Sequence, residues 1–225
     1  MKNLSLSAPK WLLLLALLLT LLLVPIRAAH AQDSFVRILH GLSGFSKVDV
    51  HIDGKRRFND LEFGGISPYV RLDSGPHSIV IQSNNPTRTL LSLTRRFKPY
   101  DFHTVGIHGT PGRQRLLIAN DSTGNPASER AQLTAYHLSP GLPPFDVVTY
   151  QPGGQVLMLL RNVRYGQTRR ASIPALPMTV RLVRRGVIFK TLQGASPRAG
   201  RKYALYAVGR PSRNFKALLD VTASQ

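Results

Sequence analysis

The chain has 225 residues, no cysteine and a formal net charge of +19, from 30 basic and 11 acidic side chains. That length suits one large domain or two small ones, since domains typically run about 100–150 residues, and an apolar content of 43% argues against global disorder. The lack of cysteine excludes a disulfide scaffold, a thiolate metal site, a thiol nucleophile and a lipidated cysteine.

At the start of the chain, Lys2 and Lys10 precede a largely apolar run from Trp11 to Ile26, followed by Arg27 and the triplet Ala29-His30-Ala31. A basic start, an apolar stretch and an A-x-A site predict a secretory signal peptide over residues 1–31, cleaved after Ala31. An uncleaved membrane anchor is the competing reading; against it, the run is 16 residues long and holds Pro25, short of the roughly 20 residues that span a bilayer. No later stretch is apolar enough to span. The mature chain, 32–225, is therefore expected to be secreted or held in the periplasm or cell envelope, with no transmembrane segment.

Beyond the leader the period is two. Val36, Ile38 and His40 alternate with Arg37 and Leu39, and Val48, Val50 and Ile52 alternate with Asp49, His51 and Asp53. Further on, Met178, Val180 and Leu182 alternate with Thr179, Arg181 and Val183. Such alternation predicts half-buried strands. Asp53-Gly54, Ser74-Gly75-Pro76, Thr110-Pro111-Gly112, Pro152-Gly153-Gly154 and Arg185-Gly186 punctuate them as turns. Residues 120–131 are polar and turn-rich and read as a link between two units.

The units repeat. Val36–His40 aligns with Leu133–His137, and Lys47–Val50 with Pro144–Val147, at an offset of 97. Phe63-Gly64 falls on Tyr165-Gly166, Gly109 on Gly209 and Asp121 on Asp220, with offsets drifting between 99 and 102. A near-constant offset indicates a duplicated unit with loop insertions. Two tandem all-β units are expected, 32–124 and 125–225, each an antiparallel sandwich. After loss of the leader the first holds 12 basic and 8 acidic side chains, the second 15 and 3, so the excess charge lies in the second.

The motif order resembles the bacterial family named domain of unknown function 4397. The first unit supplies His40, Val48-Asp49-Val50, Asp53-Gly54, Phe63-Gly64 and Ser67-Pro68-Tyr69; the second supplies His137-Leu138-Ser139-Pro140, Phe145-Asp146-Val147-Val148, Tyr165-Gly166 and Tyr203 through Gly209. The resemblance runs over residues 35–223. It departs at Ser43-Gly44, where Ser-Pro is usual, and at Arg169-Arg170-Ala171-Ser172, near the place of Ser-Pro-Tyr. What it implies is an exported, often tandem, immunoglobulin-like β-sandwich without catalytic residues.

The residues themselves offer three kinds of chemistry. His40 and His137 each precede an aspartate by nine residues, Asp49 and Asp146. A catalytic pair present in both copies is less expected than an imidazole tying down a strand end, because two units of one chain seldom need the same active site. His51 with Asp53, and His103 with His108, are candidate metal ligands, but no third ligand follows at a recognised spacing; no metal and no cofactor are expected. G-x-S-x-G, H-E-x-x-H and P-loop patterns do not occur, and the only glutamates are Glu62 and Glu129, so an enzyme is not expected.

The basic excess carries the remaining content. Arg164, Arg169, Arg170, Arg181, Arg184 and Arg185 are the candidate polyanion-binding residues, since the planar guanidinium suits bidentate contact with phosphate, carboxylate or sulfate. The expected function is a non-catalytic binding or structural module of the envelope or extracellular matrix, whose second unit docks to an anionic polymer or surface. The alternatives are a protein-interaction module of an exported assembly and a carbohydrate-active hydrolase. Sequence-specific nucleic-acid binding is not expected, because the mature aromatics occupy core-like positions.

Overall fold

A computed structural model describes residues 32–84 and 86–222; the leader expected over 1–31 lies outside them. All regular structure among these residues is β, as sixteen strands in four sheets, and no helix is long and apolar enough to cross a membrane. The first eight strands are β1 (Asp33–Leu42), β2 (Lys47–Ile52), β3 (Lys55–Glu62), β4 (Val70–Asp73), β5 (Gly75–Asn84), β6 (Thr87–Phe97), β7 (Phe102–Thr110) and β8 (Arg113–Asn120). The second eight are β9 (Arg130–Leu138), β10 (Phe145–Tyr150), β11 (Val156–Val163), β12 (Thr168–Pro174), β13 (Met178–Arg184), β14 (Val187–Ala195), β15 (Lys202–Val208) and β16 (Lys216–Val221).

The first repeat stacks sheet β4-β1-β7-β8 on sheet β3-β2-β5-β6, and the second stacks β12-β9-β15-β16 on β11-β10-β13-β14. The orders match strand for strand, so the protein is two tandem sandwiches of one design. Ladders are antiparallel except β1 with β7 and β9 with β15, which run parallel; the long excursion through the opposite sheet supplies the crossover that parallel neighbours need. Two hairpins are two-residue loops with both central residues left-handed: Asp53-Gly54 (φ 51° and 74°) and Arg185-Gly186 (φ 50° and 79°). This backbone matches the right-handed strand twist.

Backbone bonds confirm the duplication. Gly64 N donates to His40 O (2.7 Å) and His40 N to Gly65 O (2.9 Å), as Gly166 N does to His137 O (2.8 Å) and His137 N to Gln167 O (3.1 Å). One alignment shifts. Asp121 N bonds Phe102 O as Thr222 N bonds Lys202 O, so the counterpart of Asp121 is Thr222. Asp220 lies opposite Ala204 on the neighbouring strand, as Ala119 lies opposite Thr104. A buried carboxylate at Asp121 is therefore a feature of the first repeat alone.

Each sandwich has its own core, the first built on Val36, Ile38, Val50, Ile79, Phe97, Val105 and Ile107, the second on Leu133, Phe145, Val147, Leu160, Val180, Leu182 and Leu205. Half-buried strands were expected, yet β1, β7, β9 and β15 are buried almost throughout their lengths. The reason is a third cluster, in which Leu39 and Ala119 of the first repeat pack against Tyr136, Leu138, Ala204, Tyr206 and Val208 of the second. The outer faces of the two β1-type sheets thus cover one another, and residues 32–222 form one compact body. The fit is asymmetric. A Cβ on Gly106 would stand 2.7 Å from Leu138 Cδ1, and one on Gly41 would stand 3.0 Å from Val208 Cγ1. Small residues of the first repeat receive large ones of the second.

Candidate functional site

His40 and His137 do the same work in each repeat. The Nε2 of His40 bonds Phe45 O (3.1 Å) while its Nδ1 accepts from Leu42 N (3.3 Å); His137 repeats this with Leu142 O (3.0 Å) and Ser139 N (3.4 Å). Nε2 meets a carbonyl, so it carries the proton, and the acceptor role of Nδ1 makes each ring neutral. Burial pushes both imidazoles below their ordinary range, His40 to about 4.

The aspartates nine residues on have a different task. Asp49 accepts from Asp60 N (2.8 Å) and Asp146 from Asn162 N (2.7 Å). Asp60 and Asn162 both sit at left-handed φ, 53° and 51°, where the β2–β3 and β10–β11 ladders slip register. Each carboxylate pins the amide of a bulge. Asp49→Ala and Asp146→Ala are each expected to cost about 1–2 kcal/mol in urea unfolding, the value of a charge-assisted hydrogen bond. A histidine bound to backbone and an aspartate bound to a bulge share no proton path, so the geometry gives no support to a catalytic pair.

The other histidines also separate. Asp53 pairs with His77 (2.6 Å) instead of sharing a ligand set with His51. His103 lies against Phe97 on the core side of β7, whereas His108 points to the second repeat, its Nδ1 3.0 Å from Tyr165 OH. Among the described residues no three His, Asp or Glu side chains gather as a metal site.

What the repeats do assemble is a buried polar junction. Arg37, on the outer face of β1, donates from Nε to Thr104 Oγ1 (2.9 Å), from Nη1 to Asp220 Oδ2 (2.8 Å) and from Nη2 to Tyr206 OH (2.6 Å). Asp121 accepts from Tyr69 OH (2.8 Å), Thr104 Oγ1 (2.6 Å) and Tyr136 OH (2.5 Å). Lys202 Nζ closes the far side on the carbonyls of Asp121 and Ser122. Burial opposes the charge of Arg37, but Tyr206, Tyr69, Asp121 and Asp220 outweigh it and raise its pKa. Burial, reinforced by Asp121, raises Tyr69 and Tyr136 as well. These tyrosines stay neutral donors, so the junction is a fixed weld between the repeats.

The six candidate arginines part company. Arg170 occupies the place of Tyr69 in the second repeat, as the β12–β9 pairing shows, and donates to Thr134 Oγ1 (3.2 Å) and Asn120 O (3.1 Å) at the seam between repeats. Arg181 lies over the Tyr150 ring, 4.6 Å from its centre, and donates to Thr179 O. Arg169 is exposed on the edge strand β12. Arg164, Arg184 and Arg185 come together at one end of the second sandwich, since Val163 pairs with Phe145 and Val183 with the adjacent Asp146. The side chains of Arg169, Arg184 and Arg185 have no partner among the described residues.

At the same end lies a cleft of about 840 Å³ between the β7–β8 and β15–β16 hairpins. Arg113 and Arg115 of the first repeat face Arg210 and Arg213 of the second across it, with Tyr165 and Pro140 among the remaining walls and no acidic side chain. Arg113 and Arg115 escaped the sequence reading because they belong to the repeat with little net charge; only the pairing of equivalent hairpins brings them to the other two.

No curated protein matches the sequence. Among solved structures, the chain is similar to the Bacillus anthracis TIE protein, with 8% identity and a TM-score of 0.27; 80% of this chain aligns and spans about a third (34%) of that one. It is also similar to CBMbc, a family CBM26 module from Eubacterium rectale Amy13K solved with maltoheptaose, with 10% identity and a TM-score of 0.25 over 86% of this chain and 98% of that one. A family model described as "Domain of unknown function (DUF4397)" matches residues 34–148, taking in β1 to β9 and entering β10. With just over half of its length inside that match, and with His40, Asp49 and Tyr69 in the structural places just described, the chain belongs to the DUF4397 family.

Proposed function

We propose that the protein is an exported, non-catalytic binding module of the cell envelope or extracellular matrix, and that its second repeat docks electrostatically to an anionic polymer or surface. The observation that carries this reading is the set of exposed, unpartnered guanidinium groups at Arg169, Arg184 and Arg185, in a repeat with 15 basic and 3 acidic side chains. Uncompensated charge on a surface raises local polyanion concentration and accelerates encounter. Arg185 stands at the tip of a tight hairpin, an exposed position held by a stiff scaffold.

The test is co-sedimentation of residues 32–225 with an isolated envelope fraction across a salt series. Binding is expected to weaken steeply with salt, and Arg184→Glu with Arg185→Glu is expected to weaken it about tenfold or more at low salt. The protein-partner reading draws support from Val187 and Ile188, 67% and 42% exposed on the edge strand β14. Binding indifferent to salt and to those charge reversals would favour it, and would remove the arginines from the function.

A further inference from the structure

We propose that the cleft between the two repeats is a binding site for a linear anionic polysaccharide; this rests on the docking reading above and assigns it a place and a ligand. Four arginines line the cleft, two from each repeat, and none of their guanidinium groups has a hydrogen-bonded or ion-paired partner among the described residues. Arginines that merely solubilise a surface spread apart. Here the chain holds like charges on facing hairpins of a rigid body, an arrangement that costs stability until an anion occupies the space.

The walls narrow the chemistry. None of the large apolar side chains that stand exposed on the protein lines the cleft, so it has no wedge for a bilayer, and its one aromatic wall, Tyr165, is half-buried. Tyr165 is held by His108 and His137, whose rings meet it edge to face at 5.2 and 5.8 Å. What remains is an open cleft of arginine with Tyr165, proline and backbone between. Acidic groups on successive sugars would meet guanidinium groups of both repeats in turn. The two repeats pack against each other along the seam as one compact body, so the spacing of charges along the ligand decides its fit.

The experiment titrates residues 32–225 by calorimetry with oligogalacturonate, which carries carboxylates alone, and with sulfated dextran oligosaccharides, which carry sulfates alone. An oligothymidylate of equal charge and vesicles of anionic phospholipid are the comparison ligands. At least one of the two glycans is expected to bind more tightly than either comparison ligand, and the stronger of the two identifies the acidic group. Arg113→Ser with Arg115→Ser should weaken glycan binding about tenfold or more, as should Thr110→Trp, which fills the cleft without changing the charge. Both variants should keep the parent unfolding midpoint. If these variants bind normally while reversal at Arg184 and Arg185 abolishes binding, the cleft is overturned and the docking reading stands. If the oligothymidylate or the vesicles bind as tightly as the glycans, the polysaccharide assignment fails. Absence of binding to every ligand at low salt would overturn both readings.

Discussion

Asp121→Ala is expected to lower the unfolding free energy by about 3–5 kcal/mol, the cost of taking a buried carboxylate away from its charged and hydroxyl partners. The carboxylate is fully enclosed and takes three hydroxyl groups, those of Tyr69, Thr104 and Tyr136. Its loss leaves Arg37, itself 3% exposed, with a single carboxylate at the edge of the junction. Tyr136 belongs to the second repeat, so the damage crosses the seam. Asp220 is the control. Its side chain is 41% exposed, water can solvate Arg37 Nη1 in its absence, and Asp220→Ala should cost about 1 kcal/mol or less, as exposed pairs do. Equilibrium urea unfolding followed by intrinsic fluorescence measures both. Equal and small losses in the two variants would show that the junction contributes nothing beyond surface pairing.

The second large effect is a loss of stability in mild acid. His40 and His108 are held neutral by burial, each at about 4, with Arg115 and His137 adding to the depression at His108. An unfolded chain binds these protons near pH 6.5, while the folded protein refuses them until about pH 4. The stability these groups contribute is therefore fully present above pH 6.5 and drains away as pH falls to 4. Each depression corresponds to about 3 kcal/mol, about 6 kcal/mol for the two, which is comparable with the whole stability of a typical protein. His77 works in the opposite sense: burial lowers its pKa, but the hydrogen bonds and charges of Asp53 and Asp73 together outweigh it and raise the pKa. Its share is present below pH 6.5 and fades as pH rises. Unfolding free energies at pH 7, 6 and 5, above the range where carboxylates titrate, isolate the histidines. A steep fall is expected in the parent and a shallower one in His108→Gln. Stability flat across that window would contradict the neutral, staple-like role of these rings.

Much of this fold was legible from residues alone. Val48, Val50 and Ile52 alternate as a half-buried strand should, and they face inward. Asp53-Gly54 and Arg185-Gly186 announce tight hairpins, and both form. The histidine–aspartate spacing read as architecture, although the two residues turn out to hold separate parts of the backbone. The seam was not legible. Leu39, Tyr136 and Tyr206 look like ordinary members of an alternating strand, and nothing local says that the second face is covered. Asp121 stood in a polar stretch that read as a link, and its burial depends on hydroxyl groups at positions 69, 104 and 136, distant in sequence. Composition by halves pointed to the second repeat as the basic one. It hid Arg113 and Arg115, whose company is set by the fold, and it gave no sign that Arg170 donates to Thr134 and Asn120 at the seam.

The unequal fit at that seam sets which units can pair across it. Gly41 and Gly106 provide hollows, and Leu138 and Val208 provide the bulk that enters them. Two first repeats face to face would leave voids, and two second repeats would collide. Neither half is therefore suited to pair with its own kind. Once first and second repeats have met, no such face remains uncovered for a third. Across this seam the pairing is closed at two, and a further unit would have to dock through a different surface.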